Sequence, residues 1–220
     1  MNKIEILSVD LLDQHRLLVK EIDKYAHIFR MQFGWHYILD LAWIISHIDI
    51  PPGCKILDAG AGGGILQYLL AIRGYNVVSV DFSDRKIPIK FKPFFRFEEV
   101  NVEQEFQNEY IEHLKGLHGR EPINKVFYPF QVAKKMFKKI RNINLGYVSF
   151  LLRQNKKINN FGKITLYKAD FRKMDHLQSG LIDMVVSLSA IEHVPFETIP
   201  EAIKEFNRVF QGMVLFRRYS

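Results

Sequence analysis

At 220 residues, with 48% hydrophobic and 25% charged residues, the chain has the length and balance of a soluble globular protein with a real core. A single cysteine, Cys54, excludes an internal disulfide, the N-terminus is too charged for a signal peptide, and no uncharged apolar run reaches the roughly 20 residues of a membrane span; a cytoplasmic setting is expected. The net charge of +7 is uneven: residues 85–163 carry 17 Lys or Arg against 7 Glu, and the remainder 14 basic against 17 acidic residues.

Apolar residues at helical spacing (Val9, Leu12, Leu18, Ile22, Tyr25, Phe29) predict a helix over 9–29, and "WHYILDLAWIISHI" a second, so residues 1–50 read as N-terminal helices. The N-terminal aromatics Phe33, Trp35, His36, Tyr37 and Trp43 read mostly as core. "DIPPG" is a loop. "KILDA" then reads as a buried strand, "GILQYLLAIRG" as a helix stopped by Gly74, and "NVVSVD" as a strand ending in Asp81. This is a βαβ unit, so the fold class is α/β with a parallel, Rossmann-like sheet. "KITLYKAD" is a third strand, "LIDMVVSLS" a fourth, "TIPEAIKEFNRVF" a helix and "GMVLFRR" a fifth strand. The span between the second and third strands is too long for one crossover. It reads as a basic, largely helical insertion over 85–163 within one domain over 1–220, with Val132, Met136, Phe137 and Ile140 packing inward and Lys134, Lys135, Lys138 and Lys139 outward.

"ILDAGAGGGILQYLL", Ile56 to Leu70, is the most informative stretch. A phosphate-gripping loop needs Lys and then Ser or Thr after its last glycine, but Ile65 and Leu66 follow Gly64. The dinucleotide fingerprint needs a third glycine where Ile65 or Gln67 stands. What remains is Asp58-x-Gly60-x-Gly62-x-Gly64, glycines for close backbone approach beside an acid suited to a cationic ligand.

Here the sequence resembles the class I S-adenosylmethionine-dependent methyltransferases, whose first motif has this form. The likeness continues through Asp81, "KAD" ending in Asp170, and "IDMVVSLSAIEHVP", which is most similar to the small-molecule branch that includes ubiquinone-biosynthesis enzymes. It implies S-adenosylmethionine as cofactor, held by Asp58, Gly60, Ala61, Gly62, Gly64, Asp81, Phe82, Asp170, Phe171 and Ser187. In that family the second-strand acid takes the ribose hydroxyls and the third-strand acid the adenine amino group. Asp183 is expected to order the chain at the fourth strand, and Glu192 to be structural. His193 is the expected catalytic base, placed to take a proton from an acceptor hydroxyl. Some relatives bind a metal through Glu-x-x-Glu-His; Ser189 replaces the first Glu here, so no metal is expected. His36 or Tyr37 is a candidate lining residue, because the family's preceding helix covers the cofactor.

The expected reaction is methyl transfer to a small-molecule oxygen or nitrogen acceptor, largely through in-line positioning. Three readings of the basic insertion stay open: a solvated surface, a lid for an anionic acceptor, or a nucleic-acid or anionic-membrane patch. Two alternatives accompany them, an RNA methyltransferase and a non-catalytic cofactor-binding subunit. The second gains weight because the sequence ends straight after the fifth strand, where the resemblance implies two further strands; a fragment, replacement of those strands by the insertion, and lost catalysis all stay open.

Overall fold

The computed structural model of the protein describes residues 7–83, 85, 87–88, 91–101 and 160–217. The chain divides into two units, residues 1–105 with 160–220 and residues 106–159; every element described belongs to the first. The amphipathic stretch expected around Val132–Ile140 lies outside the described residues.

Three helices come first, α1 (Asp10–Gln14), α2 (Arg16–Phe29) and α3 (Trp35–Ser46). The one helix expected over 9–29 is interrupted at His15, whose φ of −105° and ψ of 32° leave the helical region. Helix α2 closes with Arg30 in the left-handed region: Met31 N–H donates to Ala26 C=O at 2.9 Å and Arg30 N–H to His27 C=O at 3.1 Å. In α3, residues Leu39 to Ile45 are all buried, whereas Trp35 at its first turn is 59% exposed and does not join the core.

The remaining elements are β1 (Lys55–Ala59), α4 (Leu66–Ile72), β2 (Asn76–Asp81), β3 (Arg96–Asn101), β4 (Lys163–Lys168), β5 (Ile182–Leu188), α5 (Ile199–Val209) and β6 (Phe210–Arg217). Two 3-10 turns, Ile191–His193 and Phe196–Thr198, separate β5 from α5. The sheet order is β3-β4-β2-β1-β5-β6, and every pairing is parallel. The chain moves outward from β1 through β2, then returns to β1's other side at β5. That reversal creates a crevice at the carboxyl ends of β1 and β5, where open α/β sheets bind ligands.

The strand β3 falls within the span expected to be a basic helical insertion. It is an edge strand, and its paired Glu98 and Glu99 obscure the alternation by which a strand is recognised. Glu98 pairs with Lys163 on β4, which holds its carboxyl below the usual carboxylate range. The aromatic run before it is core. Phe91 meets Phe29 edge-on at 4.9 Å and Tyr68 at 4.3 Å, while Phe95 stacks on Phe161 at 5.8 Å.

In-register residues of neighbouring parallel strands share a face. Asp58, Ser79 and Leu166 are in register across β1, β2 and β4. Ser79 Oγ donates to Gln67 Oε1 of α4 at 3.0 Å, so all three lie on the α4 face. On α5, Arg208 donates to the carbonyls of Met174 at 2.8 Å and Leu177 at 2.9 Å, and pairs with Glu205 at 2.6 Å, fixing the β4–β5 connection.

Candidate active site

The glycine turn leaves β1 and is fastened at once to the end of β2. The Gly60 and Ala61 N–H groups both donate to Val80 C=O, at 2.9 and 3.2 Å. Gly64 N–H then donates to Ala61 C=O at 3.1 Å, closing the turn before α4. Gly60 and Gly62 have φ values of 76° and 49°, the left-handed region in which a side chain is strained. At Gly60 there is also no room: a Cβ there would lie 2.1 Å from Ala190 Cβ. The segment after β5 therefore seats directly on the turn. A Cβ on Gly64 would meet the Tyr37 hydroxyl at 2.8 Å, so α3 brings Tyr37 to the turn.

Asp81 anchors the other wall. It is 6% exposed, its Oδ2 accepts the Gly62 N–H at 2.7 Å, and its Oδ1 accepts both the Ser83 N–H at 2.8 Å and the Ser83 hydroxyl at 2.5 Å. A carboxylate offers about four acceptor positions. One remains for an incoming hydroxyl, and rotation of the Ser83 hydroxyl would release another.

Asp58, expected to contact the ligand, is only 2% exposed and sits on the α4 face beside the turn. Burial, with Asp81 adding to it and Arg85 opposing it, pushes its carboxyl up to about 7. Arg85 was legible in the sequence only as the start of a basic segment. Its guanidinium donates to Ser79 Oγ at 2.5 Å, to Ser79 C=O at 2.7 Å and to Tyr167 C=O at 3.0 Å. It is a half-buried cation between β2 and β4, its pKa lowered chiefly by partial burial, with Asp81 and Asp58 opposing.

The other expected residues divide. Asp170, assigned to an adenine amino group, has both oxygens engaged by Arg172: Nη2 reaches Oδ2 at 2.6 Å and Nε reaches Oδ1 at 3.1 Å and Oδ2 at 2.9 Å. Phe171 is buried against Phe206 at 5.7 Å, beneath Gly60. Phe82 is half-buried beside Asp81. Ser187 is buried and donates to Ala59 C=O at 2.9 Å, tying β5 to the end of β1. Asp183 Oδ2 accepts the Lys55 N–H at 2.7 Å and so orders the start of β1. Ser189 has φ of 51°, a strained conformation for a non-glycine residue just beyond β5. His193 closes the following 3-10 turn, half-buried, three residues after the Ala190 that touches Gly60. Glu192 beside it has a buried Oε2 without a hydrogen-bond partner.

A cavity of about 340 Å³ adjoins the turn on the α4 face, lined in part by Gly62, Gly63, Gln67, Tyr68, Arg85 and Phe91. Among the described residues, no helix is long and apolar enough to cross a membrane.

Comparison with known proteins follows the same line. Residues 130–214 match the family model described as a methyltransferase domain. Over 84 residues the chain is 29% identical to ribosomal RNA small subunit methyltransferase A of Streptococcus agalactiae serotype Ia, covering 37% of this chain and 29% of that protein. Over 51 residues it is 39% identical to ubiquinone biosynthesis O-methyltransferase of Leptothrix cholodnii, covering 23% of this chain and 22% of that protein. The chain thus spans under a third of the length of these curated relatives. Among solved structures, phosphoethanolamine N-methyltransferase 2 of Haemonchus contortus aligns with a TM-score of 0.41 at 18% identity, over 96% of this chain and 35% of that one. The span matched by the family model takes in Asp170 and the segment "IDMVVSLSAIEHVP", and begins after the glycine turn and Asp81.

Proposed function

We propose that the chain binds S-adenosylmethionine across the carboxyl ends of β1 and β2 and transfers its methyl group to a small-molecule oxygen or nitrogen acceptor. The observation that carries this reading is the glycine turn, held open at two left-handed glycines and hydrogen-bonded through Gly62 to the buried strand-end acid Asp81. Backbone without side chains lets the amino-acid part of the ligand lie close to the chain. Asp81 then accepts a ribose hydroxyl at its remaining position. Asp58 acts from below through its charge, and Asp170, already saturated by Arg172, is left to shape the loop after β4.

The donor's sulfonium supplies the leaving group, so the chain's work is alignment of acceptor and methyl, with effective molarity on the order of 10⁵ M or more available from positioning. His193, three residues beyond Ala190, is the group proposed to take the acceptor's proton.

Calorimetry with S-adenosylmethionine is expected to show binding that weakens about tenfold or more in Asp81→Ala, the loss of a hydrogen bond to a charged group. Equal affinity in the two proteins would remove the cofactor assignment. His193→Ala is expected to slow methyl transfer by a factor of about 10² or more while leaving cofactor affinity unchanged, and undiminished transfer would remove His193 as base.

A second reading, RNA as acceptor, is favoured by the 84-residue likeness to a ribosomal RNA methyltransferase and by the basic span 85–163. Transfer of radiolabelled methyl groups into fractionated extracts separates the two. Label in the small-molecule fraction supports the first reading, and salt-sensitive label in RNA supports the second.

A further inference from the structure

We propose that Arg85 is a positioning residue of this site: clipped to the sheet by the carbonyls of Ser79 and Tyr167, and bonded to the side chain of Ser79, the register partner of Asp58, it is the half-buried counter-charge to Asp58 and Asp81 beneath a cationic ligand. The inference rests on the S-adenosylmethionine reading above.

Two carboxylates stand at the ends of adjacent strands, one on each side of the glycine turn. Asp58 is enclosed, with Asp81 and Ser79 contributed by β2, Gln67 and Tyr68 by α4, and the apolar Val186 opposite it on β5. Among these groups Arg85 supplies the positive charge that opposes Asp58 protonation. With Asp58 ionised, the three groups sum to a single negative charge facing a ligand that carries a sulfonium and an ammonium. With Asp58 protonated, Arg85 and Asp81 cancel and the attraction is lost. Burial alone would favour the protonated form at neutral pH. Arg85 offsets part of that burial, and its fork of donors to two strands fixes the charge in place, which a flexible ammonium on the same stem would do less well.

Sequence position does not require this residue to be part of the site. Four residues beyond Asp81, Arg85 could extend into solvent with the rest of the basic span. Instead its guanidinium turns back across β2 to the α4 face and shares Ser79 with Gln67. The adjoining cavity is lined by Arg85, Gln67 and Gly62 among others, so the charge lies near the turn that the ligand must cross.

The test is calorimetric titration of S-adenosylmethionine into the full chain between pH 5.5 and 8.5, for wild type, Arg85→Met, Arg85→Lys, Asp58→Asn and the Arg85→Met/Asp58→Asn double variant. The ligand's own amine titrates identically in every series, so differences between series belong to the protein. Wild-type affinity is expected to rise with pH through a step set by Asp58. Arg85→Met moves that step up by about one pH unit and costs about tenfold in affinity at pH 7. Arg85→Lys moves it less, and Asp58→Asn abolishes it. In the double variant the Arg85 effect largely disappears, because its route through Asp58 is gone. An unmoved step in Arg85→Met, a step retained in Asp58→Asn, or an undiminished Arg85 effect in the double variant overturns the assignment. If Arg85→Met does not fold, Arg85→Lys and Asp58→Asn decide by the same criteria. Absence of binding by wild type at every pH overturns the cofactor reading, and this inference with it.

Discussion

Gly60→Ala is expected to cost about 2–5 kcal/mol of unfolding free energy and to abolish detectable cofactor binding. Two separate penalties meet at this position. A left-handed backbone costs an L-residue about 1–2 kcal/mol, and Gly60 has φ of 76°. The second penalty is steric: the new Cβ would lie 2.1 Å from Ala190 Cβ, a contact that rotating a side chain cannot relieve, and overpacking of this kind costs about 1–3 kcal/mol. The segment after β5 must move away, carrying Ser189 and His193 with it. Ala190→Gly in the Gly60→Ala background is therefore expected to restore the steric part and leave the backbone part, which urea denaturation of the four chains in a double-mutant cycle resolves. Gly63→Ala is the control. Gly63 has no positive φ, and nothing lies within 4 Å of the point its new methyl would occupy, so its stability should change by no more than about 0.5 kcal/mol. Additive effects of Gly60→Ala and Ala190→Gly would show that the two residues do not press on each other.

The strands of the central sheet were legible because they are buried on both faces. "KILDA" and "NVVSVD" are observed with the boundaries expected, since a continuous β-branched or apolar run leaves little choice of structure. The edge was not legible: "RFEEVN" mixes two glutamates with a phenylalanine, and its strand character comes from pairing with β4 and from Phe97 packing toward Tyr68. The site shows the same division. Gly60, Gly62 and Asp81 follow from spacing, because a backbone turn and a strand-end acid are fixed by local sequence. Whether a carboxylate faces ligand or protein depends on register and on distant partners. Asp58 turns inward because it aligns with Ser79 on the helix face, and Asp170 is spent on Arg172 two residues away. Arg85 is hidden in the sequence for a related reason, since its partners Ser79 and Tyr167 are joined only by the pairing of β2 with β4.

Asp58→Asn is expected to stabilise the ligand-free protein by roughly 4 kcal/mol at pH 8 and by only about 2 kcal/mol at pH 5. The sign follows from proton binding. In the unfolded chain this carboxyl titrates near its ordinary value of 3.8, and in the fold at about 7. Between those values the native state holds a proton that the unfolded state has released, so wild-type stability falls as pH rises from about 4 to about 7 and then levels. At pH 5 the native side chain is already a neutral acid that an amide of the same shape replaces at little cost, and the variant gains only what ionisation of the unfolded wild-type carboxyl has cost by that pH, about 2 kcal/mol. At pH 8 the wild-type protein carries a buried anion, which the amide avoids. Urea denaturation at the two pH values reads the difference directly, and an equal effect at both would mean that Asp58 does not titrate in this range. The same substitution removes the negative charge proposed to attract the ligand, so stability and affinity should move in opposite directions at pH 8. A residue retained purely for packing would lose both together; an acid kept under the glycine turn at the expense of stability is what a site for a cation requires.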